Sequence, residues 1–349
     1  MKKINFLFFI LLLLFPESYL NLKPFTNLYE YIREHVTNMA IIFLPQRHKT
    51  DLLQLCFHLS KIEKSYELNK METAYIIFTW IHRNIKLEIS NNLKYNKTPD
   101  IIFKTGKGRS NEISVLFKEM CNQLEIEAGI ISGYVKFTKK IENDREWNYI
   151  KFNNTFYLVD ASYIDLFKYT EEASLFYYDL DVYFGTKPEI FIRSHFPNEA
   201  KWQLLNETNS ISFKQFLSMA YLNEGFYIDG FKTISPDSFF ISNKSFNFNL
   251  TYDANFNYRN FYAQFIDFSG KEEDFINCKF YLSSDGKLNI IINSIPEYTD
   301  YIIIHAVGYN IPYEYSVSTN IVSFKIINKN DDNNLSKQNN NFNNKTNLK

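Results

Sequence analysis

The apolar residues of this chain change their spacing part-way along it, and that change decides the fold class. From about residue 25 to residue 100 the spacing is helical. "NLYEYIREHVTNM" and "DLLQLCFHLSKI" read as separate amphipathic segments, and "METAYIIFTWIHRNIKLEI" carries Ala74, Ile77, Phe78, Ile81 and Ile85 near a 3.6-residue period. In "KTGKGRSNEISVLFKEMC", residues 104–121, a glycine-punctuated turn runs into a further helix. There Ile113, Leu116, Phe117, Met120, Cys121 and Leu124 form one continuous apolar stripe, so this helix packs on a core along its whole length. Strand-like runs follow ("AGIISGYVKF", "EWNYIKF", "TFYLVDASY"), with "FNNT" suited to a hairpin turn between the last two. Helices first and strands after them predict an α+β domain.

Beyond residue 232 the period is two. "SFNFNLTY" puts Phe246, Phe248, Leu250 and Tyr252 on one face, and "FYAQFIDF", "CKFYLS", "KLNIIINSI", "YIIIHAVGY", "YEYSVS" and "NIVSFKII" succeed it with "SG" and "SDG" turns between some of them. Several short strands in quick succession predict an all-β sandwich. Residues 186–232 read as an ordered connecting segment. The tail, "NKNDDNNLSKQNNNFNNKTNLK", lacks the apolar content to fold. The expected organisation is a signal peptide over 1–20, a helical-and-sheet domain over 21–205, a connector over 206–232, a sandwich over 233–328 and a disordered Asn-rich tail over 329–349.

With 349 residues, one large domain or two ordinary ones fit. A net charge of -1 removes the electrostatic case for a nucleic-acid partner. The first 20 residues pair Lys2 and Lys3 with an apolar run from Phe6 to Phe15, too short to cross a bilayer but suited to a secretory signal. The rival reading is an uncleaved anchor. Sequons at Asn96, Asn153, Asn206, Asn243, Asn249, Asn334 and Asn344 agree with export to the cell surface, the endomembrane system or the medium, although an Asn-rich chain makes such triplets by chance. Cys56, Cys121 and Cys278 are too few and too far apart for a disulfide framework or a zinc site; one bridge or three buried thiols are both open. No metal and no cofactor is implied.

Ser110 stands where the turn meets the helix. Taken alone it is a good helix N-cap, accepting a hydrogen bond from an otherwise unpaired amide. "GKG" lacks the spacing of a phosphate loop. Cys121 lies on the apolar stripe and reads as a core thiol.

The order of features from 70 to 205 resembles the transglutaminase-like cysteine peptidase fold, and most closely its kyphoscoliosis peptidase branch. The resemblance is carried by "ETAYIIFTWIHRNI", "TGKGRSNEISVLFKEMCNQLEIEAGIISGYVK", "REWNYIKFNNTFYLVDASY" and "RSHFPNEAKWQLL", and extends over about residues 55–328. It implies a papain-like core of helices packed on an antiparallel sheet, followed by an immunoglobulin-like sandwich. It also implies a Cys–His–Asp triad in which the helix start favours the thiolate and the imidazole carries the proton. Position by position, Asp160 matches the Asp, whereas Ser110 stands at the Cys position and Arg145 at the His position.

Those two changes remove the chemistry. A serine hydroxyl needs a positioned base, and a guanidinium stays protonated and cannot be one. Arg145 is expected instead to pair with Asp160, and His82 and His195 to be structural. The reading is a pseudoenzyme that binds a protein or peptide, with Ser110, Arg145 and Asp160 on the floor of its old cleft. The alternatives are an active peptidase or acyltransferase using Ser110 with a base brought from elsewhere, and a structural protein whose adhesion runs through the sandwich.

Overall fold

The computed structural model describes residues 44–88, 97–138, 140–162, 183–223, 226–227, 230–237, 245–252, 258–274, 276–284, 286–293, 295–310 and 315–325. The signal-peptide and tail expectations fall outside these residues. So does the first amphipathic segment.

Helix α1 (Leu52–Tyr66) begins where the Asp51 carboxylate accepts from the Gln54 amide at 2.8 Å, and it ends at Glu67 in the left-handed region. Helix α2 (Lys70–Asn84) starts with a reciprocal cap, Glu72 N–H to Asn69 at 3.0 Å and Asn69 N–H to Glu72 at 2.7 Å. Every residue of α2 from Ile76 to Ile81 is buried, so this helix runs through the core rather than over it. The two-residue strand β1 (Lys86–Leu87) pairs in parallel with β2 (Lys107–Gly108), and short α3 (Pro99–Thr105) lies between them. Phe103 of α3 stacks flat on Trp80 of α2 at 5.2 Å.

Helix α4 (Ser110–Gln123) buries the predicted stripe completely: Ile113, Leu116, Phe117, Met120, Cys121 and Leu124 are each at most 4% exposed. It packs on an antiparallel sheet of five strands ordered β6-β5-β4-β3-β7. These are β3 (Ala128–Lys136), β4 (Ile141–Phe152), β5 (Thr155–Val159), β6 (Phe184–Thr186) and β7 (His195–Pro197). The β4–β5 hairpin turns at Asn153 and Asn154, both with positive φ, as the "FNNT" signal predicts. The helices and antiparallel sheet form the α+β core expected.

The region read as a connector contributes to both halves. β6, a short helix α5 (Pro188–Phe191) and β7 complete the first sheet, with His195, Phe196 and Pro197 paired to the end of β3. Further on, Phe213, Phe216 and Leu217 of α6 (Phe213–Ser218) pack on Ile192 and Phe196. β8 (Tyr221–Leu222) then joins the C-terminal sheets.

Those sheets form the predicted all-β unit. One holds β13 (Lys279–Leu282), β14 (Leu288–Ile292), β10 (Phe246–Tyr252) and β9 (Phe231–Ser235), in that order. The other runs β12 (Ile276–Asn277), β11 (Tyr258–Asp267), β15 (Thr299–Asn310), β16 (Tyr315–Lys325) and β8. Phe248 and Leu250 of the first sheet and Phe261, Phe265, Ile302, Ile304 and Phe324 of the second share one core.

Polar bonds tie the two halves together. The Arg193 guanidinium grips Asp237 at 2.6 and 3.0 Å, the Ser323 hydroxyl donates to the Thr138 carbonyl, and the buried Lys136 ammonium donates to the carbonyls of Phe216 and Met219. All three cysteines are buried free thiols, which resolves the open question of a bridge. Burial pushes Cys56 and Cys278 up to about 12, so neither is a ready nucleophile. Among the described residues no helix is long and apolar enough to cross a membrane.

Candidate functional site

Helix α4 starts at Ser110 itself, one residue earlier than a serine N-cap would allow. Arg109 occupies the cap position, and the Glu112 carboxylate closes the helix end, accepting from the amides of Arg109 and Lys97 at 2.8 Å each. Burial alone would raise the Glu112 pKa; the two amides and the Arg109 guanidinium outweigh it and hold it below the ordinary value. The residue that caps this helix is therefore a buried acid, and Ser110 is left available. Its side chain makes no hydrogen bond to a histidine or carboxylate among the described residues.

Two bonds fix α4 to the sheet. The Ser114 hydroxyl donates to the Glu146 carbonyl at 2.8 Å, and the Asn148 amide donates to the Ser114 carbonyl at 3.0 Å. Ser110 lies one turn before Ser114 and so on the same helix face. The start of the helix is thus held beside the stretch of β4 that carries Arg145.

Arg145 sits opposite Gly133 of β3 and is 9% exposed. Its nearest acid is Glu142, 3.6 Å from Nη1, which is ion-pair range but too long for a hydrogen bond. The guanidinium carbon lies 5.6 Å from the Phe137 ring centre. Nε and Nη2 are buried and have no hydrogen-bond partner among the described residues.

Asp160 follows directly on β5 and is 1% exposed. Its Oδ1 accepts from the Ser162 amide at 2.7 Å and the Ser162 hydroxyl at 2.6 Å. Its Oδ2 lies 3.0 Å from Nε2 of His195. The expected pairing of Arg145 with Asp160 is therefore corrected: no hydrogen bond or ion pair joins them, and His195 holds the place. The reason lies in the topology. β7 returns along the edge of β3, with His195 opposite Val135, and delivers the imidazole to the carboxylate from beyond the predicted strands.

His195 is wholly enclosed. It stacks on Phe191 at 4.1 Å, meets Trp147 edge-on at 5.1 Å and lies 5.9 Å from Tyr183. Nδ1 is 2.7 Å from the Ser194 hydroxyl, so both ring nitrogens are engaged. Burial lowers the His195 pKa, and the neighbouring Arg145 charge adds to this, against the opposing pull of Asp160. For Asp160, burial acts upward, but the bond from His195 and the charges of His195 and Arg145 prevail and hold it low. The pair is thus an ionised carboxylate accepting from a neutral imidazole. His82, on the last turn of α2, is likewise lowered by burial to about 4.

The arrangement fixes geometry well and moves protons badly. No base is hydrogen-bonded to Ser110 among the described residues, Arg145 cannot act as one, and the imidazole beside Asp160 is sealed in the core. Among the described residues no group of His, Cys, Asp or Glu is placed to hold a metal.

Comparison with known proteins defines the class. Residues 60–161 match the transglutaminase-like superfamily, so the helical-and-sheet core is a transglutaminase-like domain. Within that class the chain resembles kyphoscoliosis peptidase: it is 27% identical to the Mus musculus protein over 179 residues and 26% identical to the Homo sapiens protein over 178 residues. Each match covers 48% of this chain and 27% of the relative, so the chain spans about a quarter of the length of the curated relatives it matches. Cytokinesis protein 3 of Schizosaccharomyces pombe is 27% identical over 146 residues, 39% of this chain and 16% of that protein.

Proposed function

We propose that this chain is a catalytically inactive transglutaminase-like module that acts by binding a protein or peptide segment in the cleft beside Ser110. The observation that carries this reading is the fate of the imidazole. The position expected to hold it is Arg145, and the histidine that does meet Asp160 has both nitrogens committed inside the core. Without a base, a serine hydroxyl is almost entirely un-ionised near neutral pH, and general-base catalysis alone is typically worth about 10²–10⁴-fold.

Purified wild type and Ser110→Ala, assayed for peptide cleavage and for amine transfer onto glutamine substrates, are expected to match the uncatalysed background equally. A Ser110→Cys, Arg145→His double variant tests whether the cleft still accepts substrate, because it restores the two missing groups. Wild-type turnover that vanishes in Ser110→Ala would overturn the reading and make the chain a serine hydrolase or acyltransferase.

Export to the cell surface or the medium belongs to the same proposal. Its support is the basic-then-apolar start of the sequence and the sequons, of which Asn153 and Asn206 are exposed. The protein made in a secreting cell should lose mass on treatment with peptide N-glycosidase. Material of unchanged mobility retained in the cytosol would count against export.

A further inference from the structure

Arg145 is a nine-tenths buried cation with donors to spare. Nε and Nη2 have no hydrogen-bond partner among the described residues, and these two nitrogens form one edge of the guanidinium. That edge takes a carboxylate side-on through two parallel N–H···O bonds. Burying charged donors without an acceptor is unfavourable enough that the gap calls for an explanation.

The acids nearby do not fill it. Asp160 already accepts three hydrogen bonds, from Ser162 twice and His195 once. Glu142 is ion-paired with Lys140 and reaches only Nη1, at 3.6 Å. Yet Glu142 shows the chemistry the guanidinium attracts: a carboxylate from the partly exposed rim, drawn close without seating. The Phe137 face on another side is an apolar wall that offers no acceptor.

We propose that the Nε/Nη2 edge of Arg145 receives the carboxylate of a bound peptide, either its C-terminal group or an acidic side chain. This rests on the peptide-binding reading above and names the group recognised. The incoming carboxylate takes the edge that Glu142, held on the Nη1 side with Lys140, does not reach.

The test uses three small probes on the full chain: N-acetylglycine for a terminal carboxylate, N-acetyl-aspartyl amide for a side-chain carboxylate, and N-acetylglycinamide for neither. The readout is the Nε–H NMR cross-peak of Arg145, assigned by its loss in Arg145→Lys. One or both carboxylates should shift it saturably, the tighter of the two revealing the source, while the neutral amide should not. In Arg145→Gln, binding followed on the Trp147 indole N–H should weaken about tenfold or more, as expected for losing a charge-assisted bidentate contact. Glu142→Gln should tighten it by removing a negative charge that lies 3.6 Å from Nη1 and repels the incoming carboxylate. An equal response to all three probes, no saturable shift, or unchanged affinity in Arg145→Gln would overturn the assignment. Ser110-dependent turnover would overturn inactivity and leave a carboxylate response standing, whereas a silent cross-peak in an inactive protein would remove only this assignment.

Discussion

His195→Ala should destabilise the helical-and-sheet domain by about 2–5 kcal/mol, from the lost hydrogen bond to a buried carboxylate and the cavity left by the ring. The effect follows from what remains. Asp160, 1% exposed, keeps the two bonds from Ser162 and loses its third donor, while Phe191 and Trp147 lose the ring they pack on. Denaturant unfolding of wild type, His195→Ala, Asp160→Ala and the double variant measures this. The two single losses should be far from additive, because each removes the same bond. Additive losses would mean that the pair is not the source of the stability.

The same pair predicts a dependence on pH. Both groups have folded values below their ordinary ones, which are 6.5 for the imidazole and 3.8 for the carboxyl. A lowered folded value means that the unfolded state binds the proton more readily, so the stability contributed is present above the ordinary value and lost as pH falls. The decline should begin below about pH 6.5, where the unfolded histidine charges, and steepen through the carboxylate range.

The second large effect has the opposite placement on the pH scale. Lys136 is buried at the junction of the two halves, its ammonium 2.9 Å from the Met219 carbonyl and 4.4 Å from the Phe216 ring centre. Burial, with a smaller push from the Arg193 charge, lowers its pKa from 10.5 to about 7 against the pull of Asp237. Below about pH 7 the lysine is charged in both states and its burial penalty is constant. Between there and 10.5 the folded protein has lost the proton and the unfolded chain has not, so stability contributed by this group rises with pH, by a few kcal/mol across the interval.

Cys56, Cys278 and Tyr301 act the other way at the upper end. Each is raised to about 12 by burial, so the unfolded state gives up those protons first and stability falls. The informative quantity is therefore the difference between wild type and Lys136→Met, followed by thermal unfolding from pH 7 to 9. Wild type should gain stability relative to the variant over that range. Parallel profiles would show that Lys136 keeps its proton in the folded protein.

Much of this fold was legible because local pattern and burial agree. The stripe from Ile113 to Leu124, the alternation at Phe248 and Leu250 and the Asn153–Asn154 turn are each set by neighbours in sequence. The helix starts one residue earlier than a serine cap predicts, since Glu112 accepts from the Arg109 amide at its start and is itself held by the amide of Lys97, outside the local serine pattern. The partner of Asp160 was not legible at all. His195 lies 35 residues further on, and only the pairing of β7 with β3 brings it back. Position-by-position matching points to residue 145; "RSHFPNEAKWQLL" helps carry the resemblance, but its histidine reads there only as structural, and no local period marks the three-residue strand that takes it into the core.

The route of the chain across its two halves sets an order of assembly on the ribosome. Every strand of the first sheet has emerged by Pro197, so that domain can close while the rest is still being made. β8 cannot, because its hydrogen-bonding partner β16 is the last strand described, and the Ser323 bond to Thr138 spans 185 residues. Until β16 is translated, Tyr221 and Leu222 remain an unpaired edge beside a finished neighbour. The interval before that strand arrives is when a nascent chain of this kind is most open to chaperones and to wrong partners.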